Sequence, residues 1–181
     1  MMPLDLPVSK TAAEPTRHRV DGSAATSAAD ARVFEAAYEQ AWLPVFRFAL
    51  AWTNDWAAAE DLAQEAFVRL WHRRDSVDWS EPPLPWVIAT TRNLATDRFR
   101  RLRRLAGLTP AVDSATEHAG LDGWLDVRAA FGRLSRLERT SVVLVCVQGF
   151  DSEEAAAILR TTSGAVRAAV RRAREKLELE R

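Results

Sequence analysis

Residues 84–104, LPWVIATTRNLATDRFRRLRR, are the most informative stretch of the chain, because a Pro-Trp pair leads into a dense run of arginine. The span 91–105 has six arginines and one acid, Asp97, so its net charge is +5. Such a density of positive charge favours an anionic partner, and phosphate is the usual one. Asn93 and Thr96 lie among the arginines, where their side chains can reach base edges. For an arginine run alone, a solvated basic helix is the simpler interpretation, so the flanking sequence has to decide.

The 181-residue chain has a formal net charge of zero, but its charges are segregated along the sequence. The net charge is −4 over residues 32–90, −4 over 106–127 and +4 over 128–181. The positive segments can meet phosphate, whereas the acidic ones need water or a basic protein partner. A neutral chain is also expected to bind DNA weakly on its own.

Composition narrows the classes of protein that the chain can belong to. No apolar run approaches the ~20 residues that a membrane span requires, and the first 29 residues have no hydrophobic segment of the secretory type. Residues 1–30 are rich in Ala, Ser, Thr and Pro, so we expect a disordered tail. The single cysteine, Cys146, excludes an internal disulfide, fits a cytoplasmic location and lies in an apolar run, where we expect it in the core.

The spacing of apolar residues predicts an all-α protein without strands. One helix is expected around residues 34–49, where Pro44 would kink or divide it, and Asn54-Asp55 offers a stop and a new N-cap. A second apolar stripe covers residues 59–71, a loop follows at 75–83, and a third helix runs from Trp86 to Arg104.

The remaining sequence predicts a second small domain. Residues 106–122 contain glycine, proline and acids with little periodicity, which indicates a flexible linker between domains at 31–105 and 123–181. Helices are expected at about 123–133, 136–148, 152–159 and from Thr162 or Ser163 to Leu177. Gly149 is a natural C-cap for the second of these.

Residues 151–177 have the pattern of a helix-turn-helix. The last helix places apolar residues on one face and Arg167, Arg171 and Arg174 on another. A recognition helix is built in this way, with one face on its domain and the other in the major groove, where arginine contacts guanine or phosphate. A helical hairpin with an arginine-rich solvent face is the alternative.

The histidines give no indication of an enzyme. His18, His72 and His118 are scattered, without metal-ligand spacing or a triad-like arrangement, and no glycine-rich phosphate loop exists. We therefore expect no catalytic residue, no metal and no cofactor, and we expect His72 to be a solvated residue at a helix end.

Three motifs together resemble the extracytoplasmic-function (ECF) sigma factors, a group within the sigma-70 family. The first is AEDLAQEAFVRLW at residues 59–71, and the second is Trp86 followed by RNLATD at 92–97. The third consists of residues 149–156, GAVR at 164–167 and RAREKL at 172–177. The motifs occur in order and cover about residues 31–178, so accidental matches would have to coincide.

The resemblance implies two helical domains, regions 2 and 4, and a role in starting transcription. It implies binding to bacterial core RNA polymerase through the β′ clamp helices and the β flap, to promoter DNA, and to an anti-sigma factor as a further candidate partner. The residues matching the clamp-binding helix are Asp61, Gln64, Glu65 and Arg69. Those matching the part that holds the separated −10 element are Trp86, Arg92, Asn93, Thr96, Asp97, Arg98 and Arg101. The turn at about residues 75–85 corresponds to the one with which family members hold a flipped −10 base.

In region 4 the resemblance implies that contacts with the −35 element are made by Ser163, Arg167, Ala168, Arg171, Arg172 and Arg174. The chain departs from the family pattern in four places. Ala165 replaces a threonine, Ala168 is short where a polar residue is common, Arg160 occupies the glycine of the turn, and no basic residue follows Leu144. These departures bear on individual −35 contacts and not on the fold.

Two other functions remain open on the sequence. A stand-alone DNA-binding regulator would use only the helix-turn-helix, with residues 31–105 for dimerisation or sensing, but it leaves Asp61, Gln64, Trp86 and Asn93 unexplained. A pure interaction module would bind polymerase without reading DNA, which the arginine faces disfavour.

Overall fold

The computed structural model describes residues 23–106 and 129–178, and their side chains from residue 31 to 104 and from 129 onward. All regular structure in these ranges is helical, as the sequence predicts. The helices are α1 (Ser23–Thr53), α2 (Trp56–His72), α3 (Leu84–Ala106), α4 (Arg136–Val142), α5 (Ser152–Leu159) and α6 (Ser163–Glu178). A 3₁₀ turn at Arg74–Ser76 follows α2, and a π-helical turn at Val143–Val147 continues α4. Residues 129–132 are helical as well.

Helix α1 differs from the expectation at two points. It begins at Ser23, so residues 23–30, which we expected in a disordered tail, are helical; residues 1–22 lie outside the described part. Pro44 does not divide the helix. The flanking side chains of Val45 and Phe46 are buried, and this burial offsets the backbone hydrogen bond that a proline cannot make.

An aromatic seam joins α1 to α2. Four aromatic residues recur every four positions on α1 and meet the aromatic residues of α2 with ring centroids about 5 Å apart. The closest pairs are Phe34–Trp71 at 4.9 Å, Tyr38–Phe67 at 4.7 Å and Phe46–Trp56 at 4.7 Å. Since the seam fixes one side of α2, the opposite side of that helix faces solvent.

The junction between α1 and α2 confirms the predicted stop and N-cap. Asn54 takes a left-handed conformation with φ of 55°, which ends α1. The Asp55 carboxylate accepts a hydrogen bond from the Ala58 amide at 2.8 Å and so satisfies a free donor of the first turn.

The second described segment, residues 129–178, is held together by Glu138. This residue closes a capping box with Ser135 and is only 3% exposed. Its carboxylate accepts hydrogen bonds from Lys176 at 2.7 Å and Arg172 at 3.3 Å, and so ties α6 to α4. Burial raises the pKa of Glu138, but hydrogen bonds from Lys176 and Ser135 outweigh burial and hold the pKa below its ordinary value of 4.5.

Cys146 does not lie in the core, so that expectation was wrong. The π-helical turn widens the helix after α4 and shifts the register of its last residues. Val143 and Leu144 are buried, whereas Cys146 and Val147 face solvent. Arg174 approaches the Cys146 sulfur to 3.7 Å.

Helix α5 and the turn after it agree with the predicted helix-turn-helix. Asp151 and Glu154 form a capping box at the start of α5. Arg160 takes the left-handed conformation (φ 54°, ψ 54°), and the amide of Thr161 bonds to the carbonyl of Ala156 at 3.0 Å, as in a Schellman motif. The usual turn geometry is therefore kept at a position where arginine is strained.

The two described segments share one continuous core. Leu144, Ala155, Ile158 and Leu159 of the second segment belong to the same buried cluster as the apolar faces of α1, α2 and α3. The expected linker at 106–122 and the helix start near 123 lie outside the described residues, apart from Ala106, which ends α3. No helix in the described ranges combines the length and apolar character needed to cross a bilayer.

We predict that Glu138→Gln lowers the free energy of unfolding by about 1–3 kcal/mol at pH 7, because a buried acceptor of two cations loses its charge. A carboxyl group whose pKa is lower in the folded than in the unfolded protein stabilises the fold at any pH above the unfolded pKa. This stabilisation is lost as the pH falls through the folded pKa. The difference from the wild type should thus shrink below about pH 4.5. Urea denaturation across pH measures it. Glu175→Gln, which changes an exposed pair with Arg171, is the control, and a pH-independent difference would contradict the assignment.

We also predict that Arg160→Gly stabilises the protein by about 0.5–1 kcal/mol, since glycine adopts the left-handed conformation without a Cβ penalty but loses more entropy on folding. Arg160→Ala removes the same charge and keeps the backbone strain, so it is the matched control. Thermal denaturation should rank the glycine variant above the alanine variant. Equal stability of the two would show that the turn is unstrained.

Candidate nucleic-acid interface

The outer face of α2 carries the residues expected to meet polymerase. Asp61, Gln64 and Glu65 are exposed, while the residues between them pack on the seam. Two of these acids are paired, Glu65 with Arg69 at 3.0 Å on the same helix and Asp61 with Arg98 of α3 at 3.3 Å. Exposed ion pairs of this kind are weak, so both carboxylates stay available to a basic partner.

Val68 completes this face and was not among the predicted residues. It lies one helical turn beyond Gln64 and Glu65, and its side chain is 49% exposed. An apolar residue off the buried stripe of an amphipathic helix was the available signal. The face therefore combines two acids and an amide with one apolar contact.

Asn93 of α3 lies at the meeting point of two cavities. The first, of about 360 Å³, lies between the end of α2 and α3, and Trp86, Thr90 and Asn93 form one of its walls. The opposite wall consists of Arg69, His72 and Arg73. An unstacked base can bind to the aromatic ring, the amide and the hydroxyl of the first wall, while the two guanidinium groups of the opposite wall bind its phosphate.

The structure brings only some of the predicted −10 residues together. Trp86 and Asn93 line the same cavity, whereas Arg98 turns toward α2 and its partner Asp61. The Thr96 hydroxyl donates to the carbonyl of Arg92 at 2.8 Å, so its hydrogen is used within the helix. The remaining residues of the group, Asp97 and Arg101, are exposed.

Arg92 is half-buried behind this surface. It donates to Asn93 Oδ1 at 3.1 Å and lies 5.9 Å from the centroid of the Trp52 ring. Burial lowers its pKa, and the nearby guanidinium groups of Arg160 and Arg100 act in the same direction. Arg92 thus orients the Asn93 amide, and its buried Nε has no hydrogen-bond partner among the described residues.

Sequence reasoning missed three residues in or near this cavity. His72 ends α2 and Arg73 follows it, and both line the cavity. Arg100 lies two turns after Asn93 on α3 and pairs with Asp97 at 3.9 Å. The spacing of seven residues places Arg100 on the same face of α3 as Asn93, so the sequence could have indicated Arg100. The end of α2 could not have been placed beside α3 from spacing alone.

The loop between α2 and α3 is held by short-range hydrogen bonds. Trp79 Nε1 donates to the carbonyl of Arg74 at 3.1 Å, and the Asp78 carboxylate accepts from the amide and the hydroxyl of Ser80. These bonds from Ser80 lower the pKa of Asp78. Pro82, near the end of the loop, and Pro85, in the first turn of α3, line the second cavity beside Asn93.

Helix α6 divides its arginines between two faces. Arg167, Arg171 and Arg174 line a shallow groove of about 420 Å³. Arg172 points elsewhere and pairs with Glu138. The Thr162 hydroxyl accepts from the Ala165 amide at 3.2 Å and caps the helix, while Ser163 and Ala168 are half-buried. In the described ranges, no group of His, Cys, Asp or Glu is placed to hold a metal ion.

Comparisons with known proteins agree with this geometry. The family model Sigma-70 region 2 matches residues 38–105, and Sigma-70, region 4 matches residues 124–177. The ECF RNA polymerase sigma factor SigL of Mycobacterium tuberculosis is 30% identical over 170 residues, which cover 89% of this chain and 94% of SigL.

Two further proteins are similar over different lengths. The probable RNA polymerase sigma factor RfaY of Xanthomonas campestris is 37% identical over 72% of this chain, but the match covers only 36% of that relative. The sigma factor RpoE of Bartonella quintana, solved in complex with the anti-sigma factor NepR, superposes with a TM-score of 0.68 at 25% identity, over 82% of this chain and 98% of RpoE. From the two region models and the near full-length match to SigL, the chain belongs to the extracytoplasmic-function sigma factors of the sigma-70 family.

Proposed function

We propose that this chain works as an alternative sigma factor that binds core RNA polymerase, leads it to specific promoters and helps to open the −10 region. The observation that carries this proposal is the surface around Asn93, where an amide, the Trp86 ring and the cations of α2 share one cavity. A stand-alone regulator has no use for such a surface. The chain would act in the cytoplasm, where polymerase works, and as an initiation factor rather than an enzyme.

The −10 element would bind at the α2–α3 cavity as a separated strand. A base can stack on Trp86 and bond to Asn93 only when it has left the duplex, since both groups lie in a recess. Arg69 and Arg73 would hold the phosphates on the opposite wall. Arg69, which the resemblance assigns to the polymerase contact, lines this wall, and we propose that it holds DNA phosphate.

The −35 element would bind at the groove of α6 as a duplex. Arg167, Arg171 and Arg174 present exposed guanidinium groups on one face, which suits guanine edges and phosphates in the major groove. Arg172, although it matches a DNA-facing position of the family, would act as a structural residue that anchors α6 through Glu138.

The acidic face of α2 would dock on the β′ clamp helices of polymerase. Asp61, Gln64 and Glu65 would supply polar contacts, and Val68 would supply apolar area one helical turn further along. An anti-sigma factor is a further proposed partner, since the similar RpoE of Bartonella quintana is bound to one. The domain boundaries at 31–105, 106–122 and 123–181 remain a proposal, supported by the ranges of the two region models.

We predict that Asp61→Arg with Glu65→Arg weakens binding to core polymerase by at least about tenfold, or ~1.4 kcal/mol, because two attractive contacts become repulsive. Fluorescence anisotropy with purified core polymerase measures the loss, and circular dichroism checks that helicity is kept. Val68→Ser should weaken binding by a smaller factor without a change in charge.

The control for this experiment is Glu35→Arg with Glu39→Arg, which makes the same change of charge at two exposed positions of α1. Its affinity should stay close to that of the wild type. If both double variants bind equally well, the outer face of α2 does not contact polymerase.

We predict different defects for the two DNA surfaces in the holoenzyme. Arg171→Ala should cost ~1–3 kcal/mol in promoter binding and relax the preference at one −35 position, because a base contact is lost. Asn93→Ala should leave recruitment to a −35 duplex unchanged and reduce the permanganate reactivity of thymines in the −10 region. Arg172→Ala is the matched control, since it should lower thermal stability without a change in base preference.

A duplex gel shift and permanganate footprinting separate these defects. Loss of the −35 shift in Asn93→Ala, with an intact shift in Arg171→Ala, would overturn the division of labour between the two surfaces.

A further inference from the structure

The larger of the two cavities that meet at Asn93 has a volume of about 510 Å³ and lies between α3 and α5. Its walls are mainly apolar, and they include the rings of Trp86 and Phe150. A volume of roughly 300–1,000 Å³, with apolar walls and a few polar groups, is typical of a site for a small molecule. The −10 strand is proposed to bind in the other cavity, so this one has no role in the function proposed above.

The polar groups of this cavity are mainly hydrogen-bond donors. Asn93 Oδ1 already accepts from Arg92 at 3.1 Å, so the amide nitrogen is the group that remains for a ligand. The other donors are the Arg160 guanidinium and the Thr90 hydroxyl. Glu154 is the acid of the lining, and its carboxylate already accepts a backbone hydrogen bond in the capping box of α5. A ligand that matches these groups supplies acceptor oxygens, and a carboxylate supplies them together with a compensating charge.

Arg160 is a cation without an ion-pair partner among the residues that the structure describes. Its charge acts instead on Arg92, whose pKa is lowered first by burial and then by the positive charges of Arg160 and Arg100. Two guanidinium groups thus repel each other at the edge of the cavity. An anionic ligand bound at Arg160 would offset this repulsion.

The backbone of Arg160 also indicates a role for its side chain. Residue 160 has a φ of 54° and a ψ of 54°, a conformation that favours glycine, and glycine is usual at this place in the family pattern. Strain of this kind is retained mainly at sites that have a function. Because the side chain lines the cavity, an anion in that cavity is the ligand that its position favours.

From these observations we propose that the cavity between α3 and α5 binds an aromatic carboxylate. Its ring would pack on Trp86 and Phe150, and its carboxylate would accept from Arg160 and the Asn93 amide. Aromatic rings favour contact with other rings, so a planar aromatic body suits these walls better than an alkyl chain does.

The site has a consequence for promoter opening that rests on the proposed function. Trp86 and Asn93 line both this cavity and the cavity proposed for the −10 strand. A bound carboxylate would occupy the Asn93 amide and the Trp86 ring, so it would compete with the −10 strand. The carboxylate site itself does not depend on that assignment.

Isothermal titration of the full-length protein with 1-naphthoate tests the site. We expect one molecule of 1-naphthoate to bind per chain. The neutral analogue 1-naphthalenemethanol has the same ring and should bind at least about tenfold more weakly, because it lacks the charge that Arg160 recognises. Absence of 1-naphthoate binding, or equal affinity for the acid and the alcohol, would overturn the proposal.

Variants at two positions locate the bound molecule. Arg160→Gln removes the cation and keeps the left-handed backbone, so it should weaken 1-naphthoate binding at least about tenfold, whereas Arg160→Lys should retain most of the affinity. Ala157→Phe fills the cavity from an exposed position of α5 and should lower the affinity by a similar factor. Arg47→Gln, at an exposed position of α1, is the control and should bind as the wild type does. Unchanged affinity in folded Arg160→Gln or Ala157→Phe would place the ligand elsewhere and overturn the site.

A competition measurement separates the carboxylate site from the proposed −10 function. Fluorescence anisotropy gives the apparent Kd of a single-stranded −10 oligonucleotide, which should rise about tenfold when 1-naphthoate is present at about nine times its own Kd. Ala157→Phe should bind the oligonucleotide without this sensitivity to 1-naphthoate. If 1-naphthoate binds at Arg160 but leaves the oligonucleotide affinity unchanged, the carboxylate site stands and the assignment of the −10 strand to Trp86 and Asn93 fails.

Discussion

The aromatic seam between α1 and α2 is the contact on which the placement of the proposed surfaces depends. Ring pairs such as Phe34–Trp71 and Phe46–Trp56 set the rotation of α2 about its own axis. That rotation directs Asp61, Gln64 and Glu65 to solvent and turns Arg69 toward Asn93. Stacked and edge-on rings tolerate little sliding, because their attraction depends on mutual angle as well as distance. The packing of these rings thus determines where the acidic face of α2 and the basic cavity beside Asn93 lie.

Positive and negative side chains lie on different surfaces of this molecule, and some of them are neutralised in ion pairs. Glu138 uses its carboxylate to hold Arg172 and Lys176, so that these two cations do not line the groove formed by Arg167, Arg171 and Arg174. Exposed pairs such as Asp61–Arg98 are worth little and can be exchanged for contacts with a partner. A chain with no net charge can therefore present an acidic face to a protein and basic faces to nucleic acid.

Local sequence signals predicted the helices and their ends well. The Asp55 cap and the start of α5 at Ser152 follow from side chains that act within one turn. The end near Gly149 follows from a glycine whose backbone takes a φ of 78°. Cys146 was placed incorrectly from its apolar run, since a π-helical turn directs it to solvent. Arg172, which the resemblance assigns to the −35 element, pairs with Glu138 on another helix, and no spacing along α6 could have predicted that contact. The cavity at Asn93 depends on how α2 crosses α3, which no periodicity encodes.

The continuous core has a consequence for how the protein unfolds. Leu144, Ile158 and Leu159 pack against the first three helices, so burial of the second segment also stabilises the first. The chain should therefore melt as one cooperative unit, although its two family regions are separate in sequence. A substitution at Leu159 would then destabilise the first segment as well as the second, and the half-life of the whole chain in the cell would fall with it.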